Sequence, residues 1–107
     1  MVKAVKAAQL ADQIRDLVAK WSAKDLLGYF FSLTQVTLTT DMQGATIWVD
    51  VLQPEQQDKV MSLLRRHTSK YQHGLYETLQ RTIIPRISFK LDDRPQIEAR
   101  FDELLKP

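Results

Sequence analysis

The chain has no cysteine, only three glycines and four prolines, and no long uninterrupted apolar run. Without thiols there are no disulfides, zinc ribbons, iron–sulfur centres or cysteine nucleophiles. The glycines, Gly28, Gly44 and Gly74, are too scattered to form a phosphate-cradling loop. No stretch approaches the roughly 18 consecutive apolar residues of a membrane span. The start, Met1-Val2-Lys3-Ala4-Val5-Lys6, lacks the apolar segment of a signal peptide, so a cytoplasmic protein without membrane contact is expected.

Catalytic groupings are equally sparse. His67 and His73 are six apart and do not share a helix face as a zinc pair would. Ser69 has no histidine and carboxylate at a spacing that predicts activation. Asp92-Asp93 reads as a turn or a helix cap, which is much commoner than a cation site for adjacent carboxylates. The expectation is a protein with no enzymatic activity, no metal and no cofactor.

What remains is an ordinary globular composition, 44% hydrophobic and 26% charged over 107 residues, enough for one domain spanning 1–107. The net charge is only +2, but it is unevenly spread. Residues 65–90 carry Arg65, Arg66, Lys70, Arg81, Arg86 and Lys90 against Glu77 alone. A polyanion would be drawn there. A solvated helix face rich in lysine and arginine accounts for the same charge.

Hydrophobic spacing sets out the elements. Leu10, Ile14, Leu17, Val18 and Trp21 share one helical face, and Gly28 ends the connection that follows. Over residues 29–40, Tyr29, Phe31 and Leu33 alternate in one phase and Val36 and Leu38 in the other, predicting a bulge or bend near Thr34-Gln35. Asp41-Met42-Gln43-Gly44 is the expected turn into a strand with Ala45, Ile47, Val49 and Val51 on one face, completing an antiparallel hairpin. Pro54 opens a helical region over 55–81, which the weak stretch His67-Thr68-Ser69 divides into two helices or one interrupted helix. A last strand over 83–91 alternates Ile87, Phe89 and Leu91 with Arg86, Ser88 and Lys90. Pro85 belongs at its start or on a sheet edge. A short tail or helix over about 92–107 follows.

This order predicts an α+β domain, helix-strand-strand-helix-helix-strand, with helices on one face of a three-stranded mixed sheet. The long crossover suggests a third strand parallel to the first, in sheet order 2-1-3. It is the order of the type II KH domain. The motifs are narrower still: Val36-Thr37-Leu38-Thr39-Thr40-Asp41-Met42, then Ala45-Thr46-Ile47-Trp48-Val49-Asp50-Val51-Leu52, then Ile83-Ile84-Pro85-Arg86-Ile87-Ser88-Phe89, and finally Ala99-Arg100-Phe101-Asp102-Glu103-Leu104-Leu105. In this sequence and spacing they resemble the ribosome-binding factor A family from about Val5 to Leu105.

The resemblance implies a ribosome assembly factor. Its partners would be free small (30S) subunits, their 16S-type ribosomal RNA during late maturation and pre-rRNA processing, and other assembly factors, and it would act as a monomer. Most KH domains hold nucleic acid on a G-x-x-G loop, which this family replaces with a kinked A-x-G. Here that position falls on His67-Thr68-Ser69, so the kink is made by Ser69 or has moved towards Gly74. The candidate RNA-binding residues are Arg65, Arg66, His67, Ser69, Lys70, Arg81 and Arg86, contacting mainly phosphate and shape. Arg65, Arg66 and Lys70 are weighed against a solvated helix end. Tyr71 is assigned to the core in preference to base stacking, and Trp48 to cross-strand packing with Thr37 and Thr39. Two rival functions are a protein-interaction module using the open sheet face or the acidic tail, and a KH-like binder of another RNA.

Overall fold

The computed structural model describes the backbone of residues 2–94 and the side chains of residues 6–94. The expected C-terminal helix over 95–107 lies outside the described residues. Helix α1 (Val2–Asp25) leads into the strands β1 (Phe31–Leu38) and β2 (Gly44–Val51). A short 3-10 turn (Pro54–Gln56) then opens α2 (Gln57–Arg66), followed by α3 (Thr68–Leu79) and β3 (Arg86–Leu91).

Each element follows from its apolar spacing. Leu10, Ile14 and Val18 of α1, Val60 and Leu64 of α2, and Tyr71 and Leu75 of α3 are buried together. They meet Ala45, Ile47, Val49 and Val51, the full inner face of β2. Ile87 and Phe89 complete the core from β3. Helix α1 packs over β1, whereas α2 and α3 pack towards β3.

The expected bulge is present. Leu33 lies opposite Val49 and Val36 opposite Ile47, with Thr34 left between them as the extra residue. The insertion returns Val36 and Leu38 to the core side on which Phe31 and Leu33 began, so both halves of a phase-switched strand face inward. The turn at residues 39–44 is also as expected. Asp41 Oδ1 accepts from Thr39 Oγ1 at 2.6 Å and from the Gln43 amide at 3.1 Å, and Met42 takes a left-handed φ of 60°.

Two expectations are corrected. The sheet order is β1-β2-β3, with β3 parallel to β2 and not to β1. The α2–α3 crossover therefore returns the chain beside the strand it left, as a helical connection between parallel neighbours does. The bulged strand takes an edge, where bulges are commonest, and the regularly alternating β2 takes the centre. The interruption between helices is at His67 (φ −92°, ψ 5°), neither at Ser69 nor towards Gly74. Ser69 lies in the first turn of α3. Gly74 is interior to α3, and a Cβ there would sit 2.8 Å from the Trp21 ring, so glycine serves the packing of α1 on α3.

Candidate nucleic-acid interface

The helix break is built by local bonding. The His67 amide is shared between the Leu63 and Leu64 carbonyls, both at 3.2 Å, while Thr68 Oγ1 donates back to Leu64 O at 3.2 Å. The His67 ring packs 5.9 Å from the ring of Tyr71, which meets Phe89 of β3 edge-on at 6.3 Å. The break is thus seated on β3 through an aromatic column. No side chain caps the start of α3.

β3 is an edge strand, and two open grooves run beside it. One, at its Leu91 end, is bordered by Gln57, Asp58, Met61, Ser62 and Arg65 of α2. The other, at its Arg86 end, is bordered by Thr68, Ser69, Gln72, His73 and Tyr76 of α3. Side chains from both helices reach the strand's outer edge. Gln72 Nε2 donates to Pro85 O at 2.9 Å, and its Oε1 accepts from the Ile87 amide at 2.8 Å. Arg65 extends a guanidinium nitrogen to within 3.5 Å of Phe89 O.

The seven candidate residues divide. Arg65 and Arg66 are exposed in the last turn of α2, where a cation also complements the partial negative charge of a helix C-terminus. His67 is half-buried at the break, and Ser69 is exposed beside it. Arg86 is exposed and shares the second groove with Ser69. Arg81 is exposed in the connection after α3, outside the residues bordering either groove. Among the described residues, no carboxylate lies within ion-pair distance of Arg65, Arg66, Arg81 or Arg86.

Lys70 differs. Its Nζ is 2.9 and 3.0 Å from the two oxygens of Asp25, at the end of α1. The same carboxylate accepts the buried Tyr71 hydroxyl at 2.8 Å. The Lys70 ammonium and the tyrosine hydroxyl together hold the Asp25 carboxyl below its ordinary range. Burial, with the neighbouring carboxylate, pushes the Tyr71 hydroxyl well above its usual value. Tyr71 is a core residue, as expected.

Tyr76 was missed by sequence reasoning. It is 55% exposed on the groove that holds Ser69 and Arg86, an aromatic face available for stacking. Its position three residues beyond His73 and seven beyond Ser69 on a helix was the signal. Trp48 behaves as expected. Its indole N–H donates to Thr37 Oγ1 at 3.1 Å, tying it across the hairpin on the outer sheet face. His73 pairs with Glu77 at 2.9 Å, and the described residues contain no cluster able to hold a metal ion. No described helix is long and apolar enough to cross a membrane.

A three-helix, three-stranded α+β unit of type II KH order, with basic side chains around an interhelical break, defines the class of protein. The ribosome-binding factor A family model matches residues 3–105, so the chain belongs to that family. Among relatives of that name, one from Novosphingobium aromaticivorans is 23% identical over 109 residues, covering 96% of this chain and 81% of the relative. One from Beutenbergia cavernae is 31% identical over 112 residues, covering 94% and 66%. The fold is similar to a ribosome-binding factor A crystal structure from Thermus thermophilus, with a TM-score of 0.67 at 18% identity, covering 79% of this chain and 94% of that one. It is also similar to a Thermus thermophilus ribosome-binding factor A model fitted into an electron cryomicroscopy map of a 30S complex, with a TM-score of 0.65 at 19% identity, covering 80% and 94%.

Proposed function

We propose that this chain is a non-enzymatic assembly factor that binds 16S-type ribosomal RNA on the free 30S subunit during late maturation, acting in the cytoplasm as a monomeric KH-like domain. The observation that carries this reading is the set of guanidinium groups, Arg65, Arg66 and Arg86, around the helix break and the outer edge of β3, none with a carboxylate within ion-pair distance among the described residues. Family membership and the fitted 30S complex of a structural relative support the choice of partner.

Arg65 and Arg66 would bind phosphate from the α2 end, and Arg86 would bind it from the strand. Ser69 supplies a hydroxyl and His67 a ring at the break. Tyr76 offers a stacking surface for one unpaired base. Such contacts place the protein by backbone and shape more than by sequence.

The test is a gel-shift series with a transcript of small-subunit ribosomal RNA at several salt concentrations. Replacing Arg65 and Arg66 by glutamate is expected to weaken binding on the order of 100-fold at low salt and to reduce the salt slope by about two. Unchanged affinity removes this surface from the proposal.

A further inference from the structure

The basic groups around the helix break are not equivalent. Arg65, Arg66 and Arg86 have no carboxylate within ion-pair distance among the described residues, whereas Lys70 is held by both oxygens of Asp25. The partners in that pair differ in freedom. The Asp25 side chain is 16% exposed and is fixed from behind by the hydroxyl of Tyr71, a fully buried residue. The Lys70 side chain is 61% exposed and ends in a single rotatable ammonium. The anion is therefore the fixed member and the cation the movable one.

The location of Asp25 sharpens the point. It is the last residue of α1, where the helix presents its partial negative end and a carboxylate is locally unfavourable. Lys70 is in the first turn of α3, next to Ser69 and three residues past the break. Its amine is drawn towards α1, away from the Ser69–Arg86 groove on the other flank of α3.

We propose that Asp25 is an internal counter-ion that occupies Lys70 in the free protein, so that an RNA phosphate must displace a carboxylate before it can use this amine. Asp25 thus restrains affinity: while the pair holds, the Lys70 amine adds little to the attraction that the neighbouring guanidinium groups exert on RNA phosphate. This inference rests on the assignment of RNA to the surface around the break.

The experiment uses the full chain and the same ribosomal RNA transcript, with salt-dependent gel shifts and thermal denaturation of every variant. Asp25→Asn keeps an oxygen for the Tyr71 hydroxyl while removing the charge. It is expected to tighten binding about three- to tenfold at low salt and to steepen the salt slope by about one. Adding Lys70→Met to Asp25→Asn should erase that gain, whereas Lys70→Met alone should change affinity by less than about twofold. Tyr71→Phe should lower the melting temperature without altering the salt slope.

A folded Asp25→Asn protein with an unaltered slope overturns the proposal, as does a gain that survives Lys70→Met. If Asp25→Asn does not fold, Lys70→Met alone decides, because a large loss of affinity shows that the amine was never withheld. Failure of the parent chain to bind the transcript overturns the RNA assignment together with this inference. Weakening by the Arg65 and Arg66 reversals, with no effect at Asp25, overturns this inference alone.

Discussion

The two edges of the sheet serve different ends. β1 carries a bulge locked by a buried carboxylate: Thr34 Oγ1 donates to Asp92 Oδ2 at 2.7 Å, and Asp92 is 2% exposed. Arg94 closes the same carboxylate through its backbone amide and its guanidinium. The groove between this edge and α1 is bordered by apolar residues such as Leu26, Leu27, Tyr29 and Phe31. Along β3 the borders include Arg65, Arg86, Gln57, Gln72, Ser62, Ser69 and the exposed Tyr76, with Asp58 as their one carboxylate. One edge is therefore spent on holding the hairpin in register, and the other carries the exposed charge to which the proposed function assigns the ligand. The tie itself is drawn from the other side of the sheet, since Asp92 directly follows β3 and its amide donates to Val49 O. Its carboxylate is buried whereas the arginines are exposed, so stability and binding are expected to respond to different substitutions.

Three changes would break or sharpen that division, beginning with the largest. Asp92→Ala strips the bulge of its carboxylate and leaves Thr34 Oγ1 only the longer bond to the Trp48 carbonyl, at 3.4 Å. A loss of about 2–4 kcal/mol of stability is expected, with RNA affinity unchanged, as read by chemical denaturation and gel shift. Asp92 should also make stability depend on acid. Its carboxyl is held far below the ordinary value of 3.8, chiefly by the Arg94 guanidinium. The unfolded chain therefore takes up this proton first, and the Asp92 contribution is complete above the ordinary value and declines as pH falls below it. A melting temperature flat from neutrality to below pH 3 in the parent, with no difference from Asp92→Ala, would contradict this.

Tyr76→Ala tests the opposite edge. The side chain is more than half exposed, so the melting temperature should stay within a degree or two of the parent, whereas RNA affinity should fall by about 1–2 kcal/mol, the scale of one lost base stack. Equal binding would confine the interface to phosphate contacts. The smallest effect is expected at Gly74→Ala. Alanine favours the helix by about 1 kcal/mol over glycine, but its methyl group meets the Trp21 ring, so the usual gain should vanish or reverse slightly. A clear rise in melting temperature would show that the ring shifts freely.

Much of this was legible in the residues. The α1 stripe, the bulge at Thr34, the turn at Asp41 and the division of the second helical region all follow from local periodicity, where one element's own pattern carries the information. The strand order did not emerge from the same reasoning, although two signs were present. A strand whose phase breaks belongs on an edge, and a strand as regular as β2 is suited to neighbours on both sides. The helix break was placed in the right triplet but at the wrong residue, because the shared amide of His67 depends on carbonyl geometry that composition does not encode. Asp25 and Gln72 were invisible for a simpler reason. Their partners are Lys70, Tyr71, Pro85 and Ile87, remote along the chain, and each side chain reads as ordinary helical polarity until the fold brings the ends together. Family resemblance supplied the expected partner, and only packing could show which cations remain uncompensated.

The paired hydrogen bonds of Gln72 with Pro85 and Ile87 have a further consequence. A bare edge strand is a template on which another chain can lengthen the sheet. The Gln72 side chain offers one donor and one acceptor to the carbonyl of Pro85 and the amide of Ile87, much as the backbone of an added strand would. The sheet is thereby terminated by a single amide at its most vulnerable margin. Pairing with another chain is thereby opposed at this end of β3 without a fourth strand to bar the way.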